Sequence, residues 1–116
     1  MRHRSKKVTL DRKKAPRKAL LSSLICQVLI YEKIKTTEAK AKAIKPLVEK
    51  VITRAKIDTL ANRRLLIARL PIKKAVKKAF EVLGPRYKDR KGGYLRIIKI
   101  GPRKGDGAKM VQIEFV

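Results

Sequence analysis

A chain of 116 residues holds one domain with a single modest core and has no room for two. Its 33 Lys and Arg against 9 Asp and Glu give a net charge of +24, yet 44% of its residues are hydrophobic. That balance excludes a disordered tail, which lacks the apolar residues to pack, and points to a polyanionic partner.

No run approaches the roughly 18 apolar residues of a membrane span, so no membrane partner is expected. The basic N-terminus lacks a small-residue cleavage site, so no signal peptide is expected either. Residues 1–15 read as a basic N-terminal arm, in which Arg2, His3, Arg4, Lys6, Lys7, Arg12, Lys13 and Lys14 accompany only Val8 and Leu10 as apolar anchors. Such a segment buries too little to offset its ordering entropy, and is expected to be mobile until phosphates order it. Residues 16–116 are expected to form a single α/β domain.

Pro16 suits the first position of a helix, and Leu20, Leu21, Leu24, Ile25 and Val28 carry an apolar stripe to about Ile30. Arg17 and Lys18 at its start oppose the helix dipole and are read as facing an external anion. Cys26 is alone, which precludes an internal disulfide, leans towards the cytosol and reads as a buried thiol. Tyr31 to Thr36 is a short strand.

Thr37 then begins a helix whose residues Ile44, Leu47, Val48, Val51, Ile52 and Ala55 recur at helical spacing, while Lys40, Lys42, Lys45, Lys50, Arg54 and Lys56 lie off the stripe. The Thr37 hydroxyl is expected to cap the first turn, and Glu38 to complement the dipole. Pro46 removes one hydrogen bond and crowds the preceding turn, which predicts a kink or break between Ala43 and Leu47.

Asp58 or Thr59 caps a further helix, residues 60–70, that carries Arg63 and Arg64 and ends before Pro71. Ile72, Ala75, Val76, Ala79, Phe80 and Leu83 mark the next helix, closed by the Gly84-Pro85 stop signal, with Lys73, Lys74, Lys77 and Lys78 opposite. Arg86, Lys88, Arg90 and Lys91 follow in a basic loop, where Gly92 and Gly93 permit unusual backbone angles. Residues 94–100 are rich in β-formers, and residues 110–116 alternate, with Val111, Ile113 and Phe115 on one side and Gln112 and Glu114 on the other. The connection GPRKGDGAK, with Arg103 and Lys104 at its tip, reads as long and flexible, and completes an antiparallel hairpin. Helix, strand, three helices and two strands make a two-layer α/β (α+β) domain with a three-stranded mixed sheet.

Catalytic chemistry finds little support. The lone His3 and Cys26 have no zinc spacing, the acids are scattered singly where a metal-dependent nuclease needs converging carboxylates, and no phosphate loop occurs. No enzymatic activity, cofactor, metal or small-molecule substrate is expected. The cations are instead spread over many segments. A reader of a duplex groove concentrates them on one helix or arm, whereas folded RNA wraps several faces. Arginine suits such contacts because its planar fork bonds two phosphate oxygens. With no Trp and 4% aromatic residues, a stacking platform for single strands is poorly supported. Tyr87 and Tyr94 either stack on bases or are buried in the sheet.

Several segments occur in a recognisable order and spacing: Met1-Arg2-His3-Arg4, the Thr36-Thr37-x-x-Lys40-Ala41-Lys42 junction, Ala61-Asn62-Arg63-Arg64-Leu65, Leu83-Gly84-Pro85-Arg86, Gly92-Gly93-Tyr94-x-Arg96-Ile97 and Gly105-Asp106-x-Ala108. Over essentially its whole length the chain resembles the bacterial large-subunit ribosomal protein seventeen family. The resemblance implies a two-layer α/β fold and a cytoplasmic place on the large ribosomal subunit near the polypeptide exit tunnel. It implies large-subunit ribosomal RNA and neighbouring large-subunit ribosomal proteins as partners. The chain departs from the family's pattern at Lys14, Ala15 and Pro16, where members carry a Ser-rich stretch and a His, and at Lys7, commonly Gly.

The candidate RNA contacts are therefore the arm residues Arg2, His3, Arg4, Lys6, Lys7, Arg12, Lys13 and Lys14, then Arg17, Lys18, Thr36, Thr37, Lys40, Arg63 and Arg64. From the C-terminal third come Arg86, Arg90, Gly92, Gly93, Tyr94, Arg96, Arg103 and Lys104. The alternative function is an architectural DNA-binding protein that coats duplex through its phosphates.

Overall fold

The computed structural model describes residues 8–116. Helix α1 spans Lys14–Tyr31, strand β1 Lys33–Thr37, helix α2 Glu38–Ala55 and helix α3 Leu60–Arg69. Helix α4, Lys73–Lys78, continues through a π-helical segment, Ala79–Leu83, into the short turn α5, Gly84–Arg86. Strands β2, Leu95–Pro102, and β3, Lys109–Phe115, end the chain. The fold class and the order of elements are those expected from the sequence.

The sheet is antiparallel throughout, not mixed. Its order is β1-β3-β2, with β3 in the centre and antiparallel to both neighbours. The β2–β3 hairpin sets one pairing, and β1 then joins the free side of β3, so the two strands of like direction never meet. The register aligns Ile34, Ile113 and Ile97 in one row and Lys33, Glu114 and Arg96 in the next. Because neighbouring rows point to opposite faces, the apolar row meets the helices and the charged row meets solvent. Helix α2 lies between the sheet and α1, and its residues Ile44, Val48 and Ile52 are fully buried.

Local details depart from simple signals. Helix α1 begins at Lys14, two residues ahead of Pro16, and proline is tolerated there because first-turn N–H groups have no partner inside the helix. Thr37 is the N-cap of α2, but its hydroxyl makes no capping bond; Thr59 does cap α3, accepting from the Asn62 amide at 3.2 Å. Helix α2 is unbroken through Pro46. Pro46 lies exposed, as does Lys42, whose carbonyl loses the N–H at position 46 and is left to water.

Gly84 does not stop its helix. It has ordinary helical φ and ψ, and the chain stays helical to Arg86. Its role is close packing: a Cβ at Gly84 would stand 3.0 Å from the Ala55 carbonyl carbon, nearer still to that carbonyl's oxygen, and 3.1 Å from the Ala79 oxygen. The hairpin tip is bonded within itself. The Arg103 amide donates to the Ala108 carbonyl at 2.8 Å, the Gly107 amide donates to the Arg103 carbonyl at 3.0 Å, and Asp106 bonds both the Arg103 guanidinium and the Ala108 amide.

Candidate nucleic-acid interface

On α1, Lys14, Arg17 and Lys18 share one face because they are three and four residues apart; on α2, Lys50 and Arg54 do the same. The turn between α2 and α3 brings Arg69 to the same place, and all of these cations line one groove of about 910 Å3. Its floor is aliphatic, built from Leu21, Ile25, Leu47, Val51, Leu66 and Leu70. None of the lining cations forms an ion pair among the described residues. The acid that reaches the groove, Glu49, is engaged, accepting the Tyr94 backbone N–H at 3.1 Å.

Most carboxylates instead hold structural joints. Glu32, in the left-handed position that ends α1, receives Lys78 at 3.0 Å and also Arg86, so it ties α1 to α4 and α5. Hydrogen bonds from Arg86 and then Lys78 hold its carboxyl below the ordinary range. Asp58 takes both branches of the Arg63 fork at 2.6 and 2.9 Å, which lowers its pKa, and Arg63 also lies over the Phe80 ring at 4.9 Å. Asp106 is depressed by Arg103 and by the Ala108 amide. Glu38 pairs with Lys42 at 2.7 Å, and Glu114 faces Arg96 across the sheet at 3.7 Å.

This sorting divides the candidate contacts. Arg2, His3, Arg4, Lys6 and Lys7 lie outside the described residues. Lys14, Arg17 and Lys18 are in the groove. Arg12 and Lys13 are exposed just before it, Arg12 donating to the Leu10 carbonyl at 2.7 Å. Lys40, half-buried on α2, and the exposed Arg64, Arg90 and Lys104 have no carboxylate partner among the described residues. Arg63, Arg86, Arg96 and Arg103 are each occupied by an acid of this chain.

Thr36 is 8% exposed and faces the core, whereas Thr37 is partly open. Tyr94 is 1% exposed and Tyr87 is 4% exposed, so neither ring is available to a base. They fill the core under the loop before β2, their centroids 5.2 Å apart, because the Tyr94 hydroxyl reaches Thr53 and Lys56 and the Tyr87 hydroxyl donates to the Val116 carbonyl. Helix α2 thus fixes that loop through Glu49, Thr53 and Lys56. Gly92 borders the groove, and around it and Gly93 nothing lies within 4 Å of the position a Cβ would take.

Lys50, Arg54 and Arg69 were not among the candidates. The signal for the first two was present, since they are off-stripe cations four residues apart; Arg69 joins them only through the tertiary turn.

Residues 20–116 match the family model described as ribosomal protein L17. The chain is 51% identical over 116 residues to the large ribosomal subunit protein bL17 of Solibacter usitatus, covering 100% of this chain and 77% of that protein. It is also 51% identical over 107 residues to the protein of the same name from Carboxydothermus hydrogenoformans, covering 92% of this chain and 96% of that one. The chain belongs to the ribosomal protein L17 family. Membership gives it a structural role and not an enzymatic one. The L17 match takes in all of α2, α3 and the sheet, so the groove's Lys50, Arg54 and Arg69 fall within it, while Lys14, Arg17 and Lys18 precede it.

Proposed function

We propose that this chain is a structural constituent of the cytoplasmic large ribosomal subunit, one that binds ribosomal RNA and stabilises its fold near the polypeptide exit tunnel, beside neighbouring ribosomal proteins. The observation that carries the RNA reading is the segregation of charge. Glu32, Asp58, Asp106 and Glu114 pair with cations at structural joints, while Lys14, Arg17, Lys18, Lys50, Arg54 and Arg69 are gathered without acid partners among the described residues around one groove. Phosphates satisfy such cations, and binding gains free energy from the counterions they displace. The basic arm of residues 1–15, followed by the domain of residues 16–116, extends the same contact, as do Lys40, Arg64, Arg90 and Lys104. Gly92 and Gly93 allow the backbone to approach RNA closely.

The test is to lyse the native host, separate ribosomal particles on a sucrose gradient at moderate salt and locate the chain by mass spectrometry. Stoichiometric presence in the large subunit, with release only at high salt, is the expected result. Absence from the particles and recovery with the nucleoid would refute it in favour of DNA coating.

A further inference from the structure

Duplex RNA offers a protein its phosphates and sugar edges, neither of which covers aliphatic surface. The groove between α1, α2 and α3 nevertheless has a floor of leucine, isoleucine and valine beneath its cations, and at its border Ile57 is 62% exposed. An occupant must therefore be anionic at its edges and apolar in its body. Resting on the RNA reading proposed above, we infer that this groove seats unpaired nucleotides of the bound RNA, their base faces on the aliphatic floor and their phosphates on the rim cations.

Three features favour unpaired nucleotides over an acidic protein segment. Three of the rim cations, Arg17, Arg54 and Arg69, are arginines, whose planar guanidinium groups both fork onto phosphate and lie flat on bases. The groove also carries uncommitted polar atoms of the kind that meet a base edge. The Asn62 side chain uses its amide nitrogen on the Arg54 and Ile57 carbonyls, which leaves its oxygen as an acceptor, and Ser22 adds a hydroxyl. Finally, Gly92 at the border leaves open the space a side chain would fill, so a sugar-phosphate chain can run against the backbone there. The site is distinct from an aromatic stacking platform, since Tyr94 contributes to its wall while remaining buried.

The experiment measures fluorescence anisotropy of the full chain with labelled A8 and U8 RNA, with a blunt RNA duplex of two annealed strands, and with an amphipathic peptide alternating Leu and Glu. Wild type is compared with Ile57→Gln, an exposed position where folding is not at stake, and with Leu47→Gln, whose fold is checked by circular dichroism. Each variant is expected to weaken octamer binding about ten-fold, the scale of losing contact with one base, and to leave duplex binding within about two-fold. Duplex binding without sensitivity of the octamers to either variant would overturn the groove assignment and spare the RNA reading. Failure to bind both octamers and duplex would sink the two together. Tighter, variant-sensitive binding of the peptide would replace nucleotides with an acidic protein partner.

Discussion

Removing cations that lack an internal acid partner should flatten the salt dependence of RNA binding, whereas removing paired ones should flatten it much less. Arg54 and Arg69 line the groove without a carboxylate, while Arg63 and Arg103 hold Asp58 and Asp106 in their forks. Each phosphate contact by a free cation adds about 0.9 to the slope of log K against log salt on a duplex. Between 0.05 and 0.2 M salt, a four-fold span, one contact therefore changes affinity about 3.5-fold and two contacts about 12-fold. The double variant Arg54→Gln with Arg69→Gln should lower the slope by roughly 1.8. The double variant Arg63→Gln with Arg103→Gln removes the same formal charge but also releases two carboxylates, and should lower it by less than about half as much. The assay is a salt titration of binding to a blunt RNA duplex by anisotropy, with thermal unfolding run alongside. Equal loss of slope in the two variants would refute the reasoning, for it would mean that total charge alone governs binding.

Gly84→Ala should cost about 1–3 kcal/mol in urea unfolding, since the added methyl meets the Ala55 and Ala79 backbone; a neutral result would mean the helices can part at no cost. Glu32→Gln should destabilise the fold at pH 7, each exposed ion pair being worth about 0.2–1 kcal/mol. Because the folded Glu32 carboxyl titrates below its ordinary 4.5, its contribution is whole above that pH and is lost as pH falls through the lowered value. The gap between wild type and Glu32→Gln should therefore close on acidification, and a gap that widened in acid would count against the ion-pair account. Deleting residues 1–12 should leave the unfolding midpoint unchanged, since α1 starts at Lys14, yet reduce incorporation into large subunits; normal incorporation would remove the arm from the interface.

The elements themselves were legible because their signals are local. The stripe from Ile44 to Ala55 and the alternation from Val111 to Phe115 report burial directly, and both segments form as their periods require. What the sequence could not separate were two meanings of one residue pattern. Gly84-Pro85 is written like a helix stop, but only the approach of the Ala55 carbonyl reveals a packing glycine. Thr36 and Tyr94 sit in segments that resemble the L17 family, and whether they face a partner or the core depends on how the sheet and the loop before β2 settle against α2. The groove was hidden for a similar reason. Lys50 and Arg54 are visible as a helix face, but their meeting with Arg17 and Arg69 is a product of three helices packing.

The acids explain how so cationic a chain holds together while keeping cations for a partner. Scattered singly in the sequence, they look too sparse for a metal site, and only Glu38, beside a helix start, and Asp58, a candidate cap, carry a local meaning there. In the fold, they mark joints: Glu32 ties α1 to α4 and α5, Asp58 the turn into α3, Glu49 the loop before β2, Asp106 the hairpin tip, and Glu114 two strands. An acid that pairs with a cation at a joint does two things at once, since it anchors that cation and thereby withdraws it from the surface charge available to RNA. The positions of so few carboxylates thus decide which of the many lysines and arginines are structural. Around the groove of α1, α2 and the end of α3, where Glu49 is turned to the Tyr94 amide, the cations have no carboxylate partner among the described residues, and binding a polyanion relieves their repulsion.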